Sequence, residues 1–502
     1  MVTIPLTEGS YNARSVIAAA QRCVNLYPEI NQRQALTGLP QGVTPALVTH
    51  YPTPGLRPLA QGPLAEVRGL FRANNDLLYA VIGPQVFLVN QNWTMQLLGI
   101  IASSAGQVSM CDNGRTLMIV DNTDTGYVVD LATSIFGTVT DQAYLGATKV
   151  DYLASFLVFN QPNSQNFYTS QSNQVPASSL GTYPALSNSY AAQSLYALSI
   201  AQKAGYGDNI VTLVSLDRQL WVFGRLTTEV WYVSGGTIFP FAVTQNALFE
   251  HGCAAQYSAA KLDDSIIWLS INLAGKIVVV QGQGYNVNRI STNAIENEIQ
   301  SYAVYDDAIA MTYQQLGHSF YVLTFPNAGK TWVYDNSTQE WHERMWLDGG
   351  GNERRHRANC MAFAYGVNVC GDFENGKLYA LDINQYTDDS QPIKRIRGFP
   401  HEIQETKRLV FDKFVADIQC GTNPDNASDL EGITVALRWS DTRGASWLEP
   451  IYQSLGSTGQ FYTNVQWRRL GISRDRVFEL SWTLNALTGL NGAFVDVRPS
   501  IT

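Results

Sequence analysis

A strand–turn–strand unit recurs along most of this chain, and a repeated unit that cannot bury its own apolar face must stack against its copies. Seven short apolar runs carry the repeat: Leu77–Ile82, Thr116–Val120, Phe156–Phe159, Gln219–Phe223, Ser265–Ser270, Ser319–Phe325 and Val367–Val369. Their starts lie about 40 to 65 residues apart, the period of propeller blades with insertions. A partner run follows most of them. Gly275–Val280, Gly329–Tyr334 and Gly376–Leu381 share one pattern, and Pro84–Val89, Gly126–Val129 and Thr228–Val233 are looser versions. The glycine supplies the turn and the run behind it returns as the antiparallel partner. A meander or sandwich also has short strands, but it shows no such period. The pattern predicts an all-β chain built on a β-propeller of about seven blades over residues 66–392.

Three regions fall outside the repeat. Residues 1–65 hold seven prolines (Pro28, Pro40, Pro45, Pro52, Pro54, Pro58 and Pro63, leaving aside Pro5), which predicts an extended arm with only Ser15–Gln21 briefly helical. With little core of its own, the arm is expected to order across a neighbouring subunit, so that deleting residues 1–30 would leave the propeller folded. Residues 171–207 read as an insertion between the third and fourth blades, with a short helix over Tyr190–Lys203. Residues 393–502 alternate apolar and polar side chains, as in Ile433–Trp439 and Val477–Trp482, and predict a β-sandwich-like domain.

Charge and cysteine usage narrow the function. Only 15% of residues are charged, below the roughly 25% of ordinary soluble domains, which implies a surface covered by other subunits. The net charge of −9 resides in residues 1–392, with 20 basic against 30 acidic side chains, while residues 393–502 carry 13 against 12. Such a balance does not grip nucleic acid, which needs Lys and Arg to displace phosphate counterions. It repels DNA passing within a Debye length, roughly 8–10 Å. The six cysteines (Cys23, Cys111, Cys253, Cys360, Cys370 and Cys420) include no C-x-x-C pair and read as reduced thiols of a protein assembled in the cytosol. No stretch reaches the roughly 20 apolar residues of a membrane span. The N-terminus has no basic region followed by an apolar one and is not read as a secretion signal.

The motifs with the residue types of chemistry have plainer readings. Ser440-Asp441-Thr442-Arg443-Gly444-Ala445-Ser446-Trp447 is a partial aspartate box, a turn staple of sialidases and other propellers, with Thr442 where the Asp should stand. Asp121–Gly126 opens like a calcium loop, yet the twelfth position is Ala132 instead of a bidentate Glu. The doublets Asp263-Asp264, Asp306-Asp307 and Asp388-Asp389 fall in predicted turns, where Asp is common. The six histidines are scattered without ligand spacing, and no nucleophile elbow, P-loop or dinucleotide fingerprint exists. No catalytic residue, cofactor or metal is predicted. Two basic clusters stand out, Arg354-Arg355-His356-Arg357 after three glycines, and Arg468-Arg469 with Arg474 and Arg476. Arg pairs bidentately with carboxylates at interfaces, so Arg354, Arg355, Arg357, Arg468 and Arg469 are candidate partner contacts, with Arg14, Arg22 and Tyr27 in the arm.

Several segments resemble the packaged-DNA stabilisation, or tail-hub (nozzle), family of short-tailed bacteriophages. The similarity runs through Tyr11–Ser15, Gln21–Glu29 and Tyr51–Leu56, then Phe223-Gly224, Thr228–Trp231, Phe239–Phe241, Glu250–Ala254, Trp268-Leu269, Gly284-Tyr285 and Arg289–Thr292 with Glu296, in family order. The resemblance implies a non-enzymatic structural subunit of the virion tail, assembled in the host cytoplasm. It also implies a ring of copies, six by analogy, below the head-to-tail adaptor. Such a ring forms and closes the lower DNA exit channel, retains packaged genome, meets a tail needle or plug, lies near tailspikes or fibres, and touches DNA only as it leaves. A carbohydrate-binding or sialidase-like propeller tail protein is the alternative, motivated by the aspartate-box-like turn and the abundance of Tyr and Trp.

Overall fold

The computed structural model describes residues 2–6, 22–31, 47–180, 195–236, 238–404, 407–419, 434–456 and 462–500. Each of the seven apolar runs is the second strand of a blade: Leu78–Ile82, Thr116–Val120, Phe156–Asn160, Gln219–Gly224, Ser265–Ile271, His318–Phe325 and Val367–Asp372. These strands are runs, with no alternation, because each blade is covered on both faces by its neighbours. In blade 1, Tyr79 and Val81 pack with Leu117 and Ile119 of blade 2, while Leu78, Ala80 and Ile82 pack with Val369 and Leu378 of blade 7. The blades span residues 67–100, 109–138, 150–202, 210–249, 260–289, 309–347 and 358–382. Seven separate apolar clusters fill the seven junctions between neighbouring blades. As many junctions as blades means a closed ring, and a closed ring has no free face left to cover.

Blade 7 is not completed by its own stretch of chain. Its fourth strand is Gly55–Gln61, which pairs antiparallel with Lys377–Asp382 and buries Leu56 in the junction between blades 6 and 7. Glycine is required where that strand begins, since a Cβ on Gly55 would collide with the Gln385 carbonyl oxygen.

The C-terminal region is a two-layer sandwich. One layer contains Lys394–Gly398, Asp475–Thr483, Thr434–Ser440 and Ile451–Ser454. The other contains Leu409–Gln419, Tyr462–Ser473 and Gly489–Pro499, joined by Val2–Ile4 and by the hairpin Leu26–Asn31/Leu47–Pro52. Phe411, Phe414, Trp467, Phe478 and Leu480 fill the space between. Strand Cys23–Val24 lies between Glu340–Leu347, the outer strand of blade 6, and Lys394–Gly398, so propeller and sandwich share one continuous sheet.

Two expectations change. The described parts of the arm order on their own chain: Val2–Ile4 and Leu26–Asn31 in the sandwich, Cys23–Val24 in the shared sheet, Gly55–Gln61 in blade 7. Prolines do not oppose this, because these strands sit where an amide can be missing: Pro58 lies at a register shift in the outer strand. Residues 195–202 are the fourth strand of blade 3 and not a helix, so this part of the segment 171–207 belongs to that blade. Pairing with Asn166–Ser170 overrides the helical preference of its Leu and Ala. The short helix expected at Ser15–Gln21 lies outside the described residues.

Candidate functional site at the propeller–sandwich seam

Asn25 ties the seam together. It holds φ 54°, a left-handed conformation that Asn tolerates better than most residues. Its backbone N–H donates to the Glu343 carbonyl at 2.9 Å, and its carbonyl accepts from Thr53 N–H at 3.1 Å. Its side-chain Nδ2 donates to the carbonyls of Met345 (3.1 Å) and Lys394 (2.8 Å), and Oδ1 accepts from Met345 N–H at 3.1 Å. One side chain therefore joins blade 6, the sandwich and the incoming arm. Replacing Asn25 by Ala removes three side-chain hydrogen bonds, two of them buried, and the expected loss is about 2–4 kcal/mol of unfolding free energy. Urea unfolding of the purified variant measures this, and a loss below about 1 kcal/mol would show that the seam does not depend on Asn25.

Beside Asn25 an ion-pair chain crosses the same junction. Arg22 reaches Glu343 (3.3 Å) and Glu353 (2.6 Å), Glu343 also receives Lys330 (2.6 Å), and Glu353 receives Lys394 (3.2 Å). Deeper lies a set of buried polar groups from both domains: Arg344, Arg395, Arg397, His50, His342, His356 and Asp388. Arg344 sits 5.2 Å from the Tyr313 ring centroid and 5.7 Å from that of Phe320. Arg395 donates to the Leu484 carbonyl at 2.7 Å, and Arg397 to the Leu6 carbonyl at 2.6 Å. Guanidinium charge outnumbers carboxylate charge here, and the titratable groups respond. Burial, reinforced by Arg344, Arg355 and Arg357, pushes His356 down to about 3. Burial also holds His50 and His342 well below the usual imidazole range, with Arg397 acting on His50 and Arg344 on His342. Burial lifts the Asp388 carboxyl to about 7 although Arg344 and Arg395 oppose it. At the edge of the cluster His318 Nδ1 meets Asp335 at 2.7 Å, and that hydrogen bond raises its pKa.

The propeller's central cavity, about 860 Å³, is lined by residues of the first strands of the blades. Several of its charged side chains are committed locally. Arg68 donates to the carbonyls of Gly106, Gly83 and Ser103 and to Ser103 Oγ at 2.5–2.9 Å. Lys261 pairs with Asp151 at 3.4 Å and Arg72 with Asp76 at 2.5 Å. Among the described residues no cluster of three His, Cys, Asp or Glu is placed to hold a metal ion. Cys23, Cys111, Cys253 and Cys370 are buried thiols outside any disulfide, and Cys360 is a partly buried one.

The structure separates the candidate contact residues. Arg355 and Arg357 are buried: Arg357 pairs with Asp372 at 2.6 Å and lies 4.3 Å from the Trp346 ring, and Arg355 lies 4.0 Å from that of Phe373. Their side chains serve this chain's interior. Tyr27 is likewise buried against His318 and Phe320. Arg22 belongs to the seam. Arg354, Arg468 and Arg469 are exposed, Arg354 with Asp348 at 3.1 Å and Arg468 with Gln466 at 3.1 Å. Arg14 lies outside the described residues. The aspartate-box-like turn sits in the sandwich, where Ser440 Oγ accepts from the N–H groups of Thr442 and Gly444, and Asp441 takes Arg476 through two bonds of 2.6 and 2.8 Å. Asp263 accepts from Gln314, Ser319 and Asn336 and so links blades 5 and 6. The role of Asn25 had no local signal, because its partners Met345 and Lys394 lie more than 300 residues away, and Asp388, read as a turn residue, is instead buried beside Arg344 and Arg395.

The family model described as "Bacteriophage P22 Gp10, beta-propeller" matches residues 2–386. The chain belongs to this phage stabilisation family. The match starts at the arm strand on the sandwich and ends beyond blade 7, so the sewing arm is part of the family pattern, and residues 387–502 extend past it. Like the family, the chain is a phage DNA-stabilisation propeller protein. Among solved structures it is similar to the WD40 β-propeller domain of Doa1 (11% identity, 65% of this chain, 97% of that one, TM-score 0.39). It is also similar to the computationally designed Ika8 protein (10%, 65% and 99%, TM-score 0.36) and to the N-terminal domain of Nup159 (11%, 66% and 95%, TM-score 0.39). No curated protein matches the chain.

Proposed function

We propose that this stabilisation-family chain is a tail-hub subunit whose copies form a ring that builds and closes the lower DNA exit channel and keeps packaged genome inside the virion. The observation carrying the reading is mechanical. A closed propeller is locked to a second domain by one continuous sheet and by its own N-terminal strands, which makes the subunit a stiff block suited to a wall. An acidic charge balance in the propeller half favours a duct that DNA leaves without adhering. In this reading the chain is no enzyme, and the head-to-tail adaptor, a needle or plug and the tailspikes or fibres are its neighbours. The exposed Arg354, Arg468 and Arg469 are the side chains of the original set positioned to meet them.

The test is a phage that lacks this chain. Its heads are expected to package DNA and then lose it, leaving most particles without nuclease-protected genome, with protection restored when the chain is supplied in trans. Particles that keep their genome without it would overturn the reading.

A further inference from the structure

The outer face of the sandwich sheet presents a groove that neither the family nor the tail-hub reading accounts for. Register places its floor. Tyr452, Ala436 and Ser481 lie in one row across three strands, since Ala436 pairs with both Tyr452 and Ser481. The next row holds Thr434 and Thr483, and the row on the other side holds Arg438 and Glu479. Small side chains make the floor low, and the loop from Trp447 to Pro450 rises beside it to enclose about 390 Å³. That volume falls within the roughly 300–1,000 Å³ of small-molecule sites. A second groove of about 380 Å³ continues toward blade 6 and shares Arg438, Trp447 and Glu479 with the first.

The chemistry of the lining selects a ligand class. The hydroxyls of Thr434, Ser481 and Thr483 have no hydrogen-bond partner among the described residues, so donors and acceptors are on offer. Two aromatic side chains line the same groove: Tyr452, 60% exposed beside the buried Ala436, and Trp447, whose ring lies 4.6 Å from the Arg438 guanidinium carbon. An aromatic face is electron-rich and attracts the C–H edges of a pyranose ring, while the hydroxyl floor answers its polar edges. The lining charges are largely cancelled: Arg438 with Glu479 at 2.5–2.7 Å, Lys394 with Glu353 at 3.2 Å, Arg443 with Asp475 at 2.7 Å. The second groove also holds Arg22, Lys330, Glu343 and Glu353, so the two linings carry five basic side chains against five acidic ones, a balance that favours neither an acidic nor a basic ligand. A protein partner would call for a dry apolar centre, and this floor is polar.

We propose that this face of the C-terminal sandwich is a binding groove for an uncharged oligosaccharide, with Trp447 and Tyr452 as stacking platforms and Thr434, Ser481 and Thr483 as hydrogen-bonding floor. The proposal does not depend on the tail-hub reading. The experiment uses the intact chain on an array of purified neutral and acidic bacterial polysaccharides, followed by calorimetric titration with oligosaccharides cut from the best neutral binder. Binding of a neutral polysaccharide is expected, weakened about tenfold or more by Trp447→Ala and by Tyr452→Ala and less by Thr483→Val. Tyr452→Ala guards against a folding artefact, since its exposed ring supports no core, and its thermal midpoint should match that of the unaltered chain. Failure to bind any neutral polysaccharide, affinity unchanged in both aromatic variants, or a preference for acidic polysaccharides or for protein would overturn the proposal.

Discussion

A chain that begins at residue 62 is expected not to close its propeller. Without Gly55–Gln61 blade 7 loses its fourth strand, and with it the ladder to Lys377–Asp382 and the buried Leu56. A ladder hydrogen bond contributes about 1 kcal/mol and a buried leucine about 2–3 kcal/mol. The same truncation removes Cys23–Val24 and Asn25 from the seam, and Val2–Ile4 and the hairpin from the sandwich. The total approaches the 5–15 kcal/mol that holds a whole domain together. The truncated chain should aggregate or show no sharp near-ultraviolet circular dichroism, and limited proteolysis should cut blade 7 first. A synthetic peptide covering residues 47–63 should recover part of the signal by refilling the edge. A truncated chain that melts like the full one would disprove the role of the strand. For the same reason deletion of residues 1–30 is expected to weaken the fold, contrary to what a detachable arm would allow.

The second large effect is acid unfolding driven from the seam. His50, His342 and His356 stay neutral in the folded chain, with His356 at about 3, whereas unfolded imidazoles take up protons below about 6.5. The unfolded state then binds more protons, so the stability contributed by these groups is present above about pH 6.5 and is lost as pH falls. Asp388 runs the other way. Its folded value of about 7 lies above the ordinary 3.8, so its contribution is present at low pH and is lost as pH rises through that window. His318, whose folded value is raised, likewise contributes below its unfolded value and loses that contribution as pH rises. Between about pH 6 and pH 4 each imidazole that stays neutral leaves the unfolded chain ahead by up to about one proton, or roughly 1.4 kcal/mol per pH unit, so the histidines together outweigh Asp388 and stability is expected to fall with acid. Urea unfolding at about pH 7, 6 and 5 should show this fall, and His356→Gln should flatten it by about one proton. A stability that is level over that range would mean the imidazoles are not held neutral.

How much of this was legible beforehand depends on the range of the interaction. The period of the apolar runs exposed the blades because every second strand is sandwiched between neighbours and must be apolar throughout, as Leu78–Ile82 and Ser265–Ile271 are. Alternation exposed the sandwich because its sheets pack one face into the core, as Val435, Leu437 and Trp439 of Thr434–Ser440 do. The turn chemistry of Asp263 and Ser440 was also readable, since those hydrogen bonds are fixed by a few neighbouring residues and the loop they close. The candidate contact residues were less so. Arg354, Arg355 and Arg357 are three of a kind in sequence, yet strand pairing sends two inward to Phe373 and Asp372 and leaves one outside.

Local order and amphipathic pattern were therefore set by the sequence alone: an all-β chain, about seven repeated hairpin units, and a sandwich behind them. Only the tertiary structure decided that a proline-rich arm would supply the last strand of the ring, that Asn25 would fasten two domains, and that arginines and histidines would share one buried seam. The reason is physical. Periodicity reports which side of a strand is covered and not by what, and an edge strand's hydrogen bonds accept any backbone, so the partner is chosen only when distant segments meet.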